Sequence, residues 1–193
     1  PDKNNAIVVQ DQTLAAAYTL EFEEMWGSST LVPNTTVSKF GPYKTNNTPH
    51  NYSIGGKIVN SYFSPSDGAN AKIIEAINTA NTDIDIATML ITRSDISSAL
   101  ISKFNSGLTN LNMVLDSQNP TGNQLSVLQT GINTNRIVTF TASGIMHHKF
   151  MVIDNFNNAS DPQVLVGSHN WSTSAETKND ENILIVHDAN ITN

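Results

Sequence analysis

Short apolar segments alternate with amphipathic ones along most of this 193-residue chain, and this alternation constrains the fold more than any other feature. From residue 57 onward, runs with the two-residue period of a strand are followed by runs with helical spacing. Such a pattern is typical of a mixed β-sheet flanked by helices on both faces, so we predict an α/β fold. The predicted strands are 58–63, 83–90, 111–115, 137–141 and 182–186.

The first 27 residues have the pattern of a strand followed by a helix. Residues 6–9 are apolar and strand-like, and Asp11 is a favourable helix N-cap. An apolar face begins at Leu14, and Gly27 is suited to end the helix.

The strand at the amino end has a counterpart near the carboxyl end. Residues 5–11 resemble residues 182–188 at a constant offset of 177, which indicates an internal repeat. We therefore predict that residues 1–27 end a preceding copy, that 28–56 are a linker and that 57–193 form a second copy. The linker assignment rests on its prolines, glycines and polar residues, and on its unusual length for a loop within one domain.

The composition narrows the possible partners. The net charge is −7 and the ten Lys and Arg residues are scattered, which disfavours tight binding to nucleic acid. The absence of cysteine excludes disulfides, thiolate nucleophiles and cysteine-based zinc sites. Many polar residues and a charged fraction of 14% favour an extracytoplasmic or secreted protein, any signal peptide then preceding Pro1. We expect no transmembrane segment, because no apolar run approaches the roughly 20 residues that a membrane span needs.

The stretch 147–182 contains the candidate site. The residues of the candidate site are, in chain order, His147, Lys149, Asp154, Gly167, Ser168, Asn170 and Glu181, with Gly167 as a structural residue of the motif. The first three follow the pattern H-x-K-x4-D, and the next three follow G-S-x-N. Side chains alternate faces along a strand, so His147 and Lys149 should point to one pocket and His148 away from it. The same alternation should place Ser168 and Asn170 together, with His169 on the opposite side.

These residue types suit attack on phosphorus. A neutral imidazole is a nucleophile near pH 7, and a carboxylate that accepts its Nδ1 proton fixes the ring with Nε2 free. Glu181 is the candidate for that carboxylate. Lys149 would supply positive charge and Asn170 an amide donor to the phosphoryl oxygens. This chemistry needs no metal and no cofactor.

The combined pattern resembles the HKD motif of the phospholipase D superfamily, and most closely the second copy of bacterial two-copy phospholipase D-like proteins. The resemblance extends over residues 57–188 and implies a phospholipase D-like sheet. It implies that His147 forms a phosphohistidine, and that a histidine from a second HKD copy protonates the leaving group. Lys149 and Asn170 would bind phosphate and Ser168 would line the site. We count Asp154 within the catalytic motif, although the resemblance implies that it serves the structure.

Two features depart from the family pattern. Twelve residues separate Asp154 from Gly167, which predicts a longer hairpin turn. The chain contains one H-x-K pair, so a second HKD half or a homodimer is expected to complete the site.

Our main hypothesis is metal-independent hydrolysis of a phospholipid or another phosphodiester. Because dimeric nucleases of the superfamily also carry a single motif, an HKD-family endonuclease is the alternative. A non-catalytic assembly or binding domain is the third hypothesis.

Overall fold

A computed structural model describes residues 2–118, 120–157 and 159–192. An eight-stranded sheet runs through the molecule in the order β1-β2-β8-β7-β6-β3-β4-β5. The strands are β1 (Asn51–Ile54), β2 (Lys57–Ser64), β3 (Asp83–Thr88), β4 (Asn110–Asp116), β5 (Ile137–Phe140), β6 (Lys149–Ile153), β7 (Gln163–Gly167) and β8 (Glu181–His187). The α-helices are α1 (Gln12–Trp26), α2 (Ala69–Thr79), α3 (Ser94–Asn105), α4 (Leu125–Gly131), α5 (Thr173–Thr177) and α6 (Ala189–Thr192).

The sheet is mixed, as predicted. Strands β3, β4 and β5 run parallel to one another, and helices α3 and α4 occupy the connections between them. Every other neighbouring pair is antiparallel. Parallel strands need crossover connections, which the amphipathic segments between them supply.

Helices cover both faces of the sheet, and the alternation along β8 shows why. Ile183 and Ile185 belong to the larger core, which includes apolar residues of α2, α3 and α4. Leu184 and Val186 belong to a smaller core on the opposite face, together with Leu14 of α1. Each strand in this region is therefore apolar on both sides, and the α/β prediction is confirmed.

Helix α1 is capped at both ends and is tied to the sheet by a buried ion pair. The Asp11 carboxylate accepts a hydrogen bond from the Leu14 amide at 2.8 Å, and Gly27 ends the helix in the left-handed conformation at φ 77°. Near the middle of the helix, the buried Lys44 ammonium contacts Glu21 and lies 3.3 Å from Asp180, the residue before β8. The helix is therefore tied to the segment that leads into β8.

Two parts of the fold differ from the sequence prediction. Residues 6–9 form no strand, and Val8 is 94% exposed. Strand β1 lies inside the stretch 28–56 expected to be a linker, where it pairs with β2 across the two-residue turn at Gly55. The division of the chain into two copies stays a prediction. Within the described residues, no helix combines the length and the apolar character needed to cross a membrane.

Candidate active site

The ends of three adjacent strands bring the motif residues to one edge of the sheet. Strand β6 begins at Lys149, β7 ends at Gly167 and β8 begins at Glu181. Because these neighbours are antiparallel, the start of one strand lies beside the end of the next. The Gly167 position requires glycine, since an added Cβ would lie 2.0 Å from the Asn182 carbonyl oxygen.

His147 lies just before β6 and is half-buried. Its backbone amide donates to the Lys3 carbonyl at 2.9 Å. Its Nδ1 lies 3.1 Å from the Asn4 side-chain oxygen. The residues that hold His147 therefore include the N-terminal segment of the chain.

Lys149 is a buried cation at the first position of β6. It is 4% exposed, and its ammonium donates to the His147 carbonyl at 2.8 Å. Burial lowers the pKa of Lys149 to about 8, because a desolvated ammonium is less stable than a hydrated one; the negative charge of Glu181 opposes this shift. The side chain is thus charged at neutral pH and close to losing its proton.

Glu181 does not contact His147 Nδ1, the contact expected from the sequence. Among the described residues, its hydrogen bond comes from the Asn179 amide at 3.3 Å, and the position beside His147 Nδ1 is taken by Asn4. Strand β7 lies between β6 and β8, so the backbones of these two strands are about 10 Å apart. In this structure Asn4, and not Glu181, contacts His147 Nδ1, and the charge of Glu181 acts on Lys149; a catalytic role for Glu181 stays a prediction.

Ser168 and Asn170 occupy different surroundings. Ser168 lines the same cavity as His147 and Lys149, and its hydroxyl accepts a hydrogen bond from the Asn182 amide at 3.1 Å. Asn170 is half-buried and does not line that cavity, and its side-chain oxygen is buried without a partner among the described residues. The structure thus brings Ser168, but not Asn170, to the cavity wall.

The two neighbouring histidines point away from the cavity, as predicted. His148 contacts the Phe150 ring edge-on, with the ring centroids 5.4 Å apart. His169 is fully buried, with its Nε2 3.4 Å from the Glu176 carboxylate.

Asp154 is separated from the other motif residues by the length of β6, roughly 16 Å. It is fully buried and accepts hydrogen bonds from the amides of Asn81 and Thr82, both at 2.8 Å, and from the Ser160 hydroxyl. Burial alone would raise the pKa of Asp154, but these donors outweigh it and lower the pKa. Asp154 therefore fixes the turns beside β3 and β6, and its place in the catalytic motif is structural.

Two residues of the site were not predicted from the sequence. Asn4 contacts His147, and the repeat offset of 177 pairs Asn4 with Glu181, which is the signal that could have identified it. Asp116, at the end of β4, accepts a hydrogen bond from the Met146 amide at 2.7 Å and so fixes the residue before His147. A carboxylate directly after a buried strand was its only sequence signal.

An apolar cavity adjoins the site. It is lined in part by Leu14, Tyr18 and Leu184, and it shares Ile7, Val166, Gly167 and Asn182 with the cavity around His147. The two cavities therefore lie side by side between α1, the N-terminal segment and the sheet.

Comparison of this geometry with solved structures gives similar folds in phospholipase D family proteins. Nuc from Salmonella typhimurium, a phospholipase D family member, is 28% identical, with a TM-score of 0.58 over 69% of this chain and 86% of that one. NucT from Helicobacter pylori has a TM-score of 0.55 at 22% identity, over 69% of this chain and 87% of that one.

Sequence comparisons also give phospholipase D-like proteins. A mitochondrial cardiolipin hydrolase of Chlamydomonas reinhardtii is 28% identical over 121 residues, which are 61% of this chain and 50% of that protein. The match thus spans about half the length of this relative. Residues 73–193, more than half of the chain, match the family described as cardiolipin synthase, PLD-like domain. With this match and the shared fold, the chain belongs to the phospholipase D-like family.

Proposed function

We propose that this chain supplies one half of the active site of a metal-independent phosphodiesterase, with His147 as the nucleophile. The observation that carries the proposal is the cavity at the sheet edge, where His147, Lys149 and Ser168 converge. An imidazole and a buried ammonium on one wall are the two groups that attack on a phosphodiester needs most.

The reaction has two balanced steps. His147 Nε2 attacks phosphorus, an N–P bond forms, and one P–O bond breaks as the leaving alkoxide takes a proton from a general acid. Water then attacks phosphorus and gives up a proton to the same group acting as base. The N–P bond breaks, and a phosphate monoester and free imidazole remain.

Lys149 stabilises the negative charge that develops on the phosphoryl oxygens. It is charged at pH 7 because its pKa of about 8 lies above that pH, and its burial strengthens its interaction with an anion. The Ser168 hydroxyl lines the cavity and is available to contact the phosphate.

The general acid comes from a second copy of the motif. The chain has one H-x-K pair, so the leaving group needs a proton from another HKD half or from a homodimeric partner. Activity of the isolated chain should therefore rise with protein concentration if it dimerises.

The proposed substrate is a phospholipid or another small phosphodiester with an apolar substituent. The apolar cavity that adjoins the site supports this class, as does the net charge of −7. The relative from Chlamydomonas reinhardtii, a cardiolipin hydrolase, is consistent with it.

Nuclease activity is the second candidate function. The single H-x-K pair and the similarity to Nuc over 86% of that chain favour it. A non-catalytic binding domain is the third possibility, and it predicts no turnover at any protein concentration.

The test is hydrolysis of bis(p-nitrophenyl) phosphate in excess chelator, over a range of protein concentrations. We expect turnover in chelator that His147→Ala abolishes. The matched control is His148→Ala, because His148 faces Phe150 and not the cavity. Loss of activity on chelation contradicts the metal-free mechanism, and full activity of His147→Ala contradicts the nucleophile assignment.

Substrate class is tested by competition. Phospholipid vesicles should inhibit turnover of the chromogenic substrate more strongly than single-stranded DNA of equal phosphate concentration. The opposite order supports the nuclease.

A further inference from the structure

We propose that Asn4 is a positioning residue for His147, holding the imidazole with its proton on Nδ1 and its Nε2 lone pair free. The importance of this for catalysis rests on the proposed function, whereas the tautomer itself does not. The inference comes from a contact between the N-terminal segment and the residues that lead into β6.

Backbone hydrogen bonds hold that segment in register with the site. The Lys3 amide donates to the Ile145 carbonyl at 2.8 Å, and the Lys3 carbonyl accepts from the His147 amide at 2.9 Å. These two bonds lie on either side of the buried Met146, and together they form an isolated parallel β-bridge between Lys3 and Met146. Asn4 is the next residue along, so its position relative to His147 is set by backbone and not by its exposed side chain alone.

The atoms in contact determine the tautomer. The Asn4 side-chain oxygen lies 3.1 Å from His147 Nδ1, and a carbonyl oxygen can only accept a hydrogen bond. With the Asn4 oxygen facing the ring, this hydrogen bond forms when Nδ1 carries the proton, which leaves Nε2 unprotonated in the neutral ring. A nucleophilic imidazole requires the same tautomer.

An amide at this position differs from a carboxylate in one respect: it orients the ring without adding negative charge that would stabilise the imidazolium. The charged or titratable residues on the segments that contact His147, its neighbours Met146 and His148, or Lys149 are Lys3, Asp116, His148, Lys149 and Glu181. Changing Asn4 to aspartate adds one charge to this set while keeping an acceptor in place.

The adjacent residue provides a matched control. The Asn5 side-chain oxygen lies 2.9 Å from Nδ1 of His148, the histidine whose ring contacts Phe150. Asn4 and Asn5 both line the cavity around His147, but Asn5 contacts His148, so Asn5→Ala removes an equivalent hydrogen bond from the same segment and leaves the contact to His147 in place.

Kinetics with bis(p-nitrophenyl) phosphate form the first test. Asn4→Ala should lower kcat about two- to tenfold, the loss expected for one neutral hydrogen bond, with KM unchanged. Asn5→Ala should keep kcat within about twofold. In Asn4→Asp the acidic limb of kcat/KM should move to higher pH by about one unit or more, because the new carboxylate favours the charged ring.

The second test reads the tautomer directly and needs no turnover. Ring ¹⁵N chemical shifts should identify His147 as Nδ1-protonated at a pH where it is neutral. Asn4→Ala should lose this preference and Asn5→Ala should keep it. An unchanged His147 tautomer in Asn4→Ala overturns the inference, as does an Asn4→Asp acidic limb that does not move.

The positioning role of Asn4 and the nucleophile role of His147 can be disproved independently. If Asn4→Ala shifts the tautomer but His147→Ala retains activity, Asn4 still positions the ring and the nucleophile assignment is wrong. A purely structural role for Asn4 predicts a lower melting temperature with the tautomer and the pH profile unchanged, and that result also overturns the inference.

Discussion

The pH dependence of catalysis should be set on its alkaline side by Lys149. Burial lowers the pKa of this ammonium to about 8, so its charge is lost as the pH rises through that value. At pH 7 about nine-tenths of the molecules carry the charge, and at pH 9 about one-tenth do. If the charge is needed to bind and stabilise the phosphoryl group, kcat/KM should fall about tenfold for each pH unit above 8.

The assay is the pH profile of kcat/KM between pH 6 and 10.5, which reports the ionisation of the free enzyme. Bound substrate should raise the pKa of Lys149, because the phosphodiester adds negative charge beside it. The alkaline limb of kcat should therefore lie at higher pH than that of kcat/KM.

Lys149→Arg is the matched variant. A guanidinium keeps its charge throughout this range. With bis(p-nitrophenyl) phosphate, whose nitrophenolate leaves without taking a proton from the general acid, the alkaline limb should therefore disappear in Lys149→Arg, even where the altered donor geometry lowers the maximum rate. A profile that stays flat to pH 10 in the wild type would refute the assignment. So would an alkaline limb that persists unchanged in Lys149→Arg.

Three predictions concern the scaffold, each measured by denaturant unfolding. Lys44→Met should destabilise the fold by about 3–5 kcal/mol, because the buried Glu21 and the partly buried Asp180 lose their ammonium. Lys39→Met should cost under about 1 kcal/mol, because the Lys39 side chain is 44% exposed and Glu24 keeps its hydrogen bonds from the Thr45 amide and hydroxyl; equal effects would contradict this. Gly167→Ala should cost about 3 kcal/mol, since its Cβ would meet the Asn182 carbonyl at 2.0 Å, and near-wild-type stability would contradict the close approach. Asp154→Asn should cost about 2–3 kcal/mol. Because the folded pKa of Asp154 is lowered, its carboxylate stabilises above the unfolded value of about 3.9, so the difference should shrink as the pH falls below 4; a constant difference would contradict it.

Much of the fold could be predicted because it depends on local periodicity. The predicted strand 58–63 became β2 and the strand 182–186 became β8 with shifts of one residue, since apolar alternation and burial coincide there. The strand predicted at 6–9 failed because apolar character does not by itself provide a pairing partner. These residues line a cavity beside the sheet and do not extend it.

The candidate site was predictable where it depended on a motif within one strand. The two-residue period predicts a common pocket for His147 and Lys149, and both line one cavity, although His147 lies just before β6. The distance between Glu181 and His147 could not be predicted in this way, because it depends on strand order, and β7 lies between β6 and β8. Asn4 could not be found from local pattern, because 142 residues separate it from His147 and a backbone bridge joins them.

The most direct test of the account is to trap the covalent intermediate. The enzyme is mixed with a phosphodiester substrate, quenched with base during turnover, and digested for peptide mass spectrometry. Base is used because an N–P bond to histidine is labile in acid. The account predicts a phosphoryl adduct on His147 that is absent from His147→Ala and present in His148→Ala. Turnover without an adduct on His147, or with the adduct on another residue, would contradict the central claim.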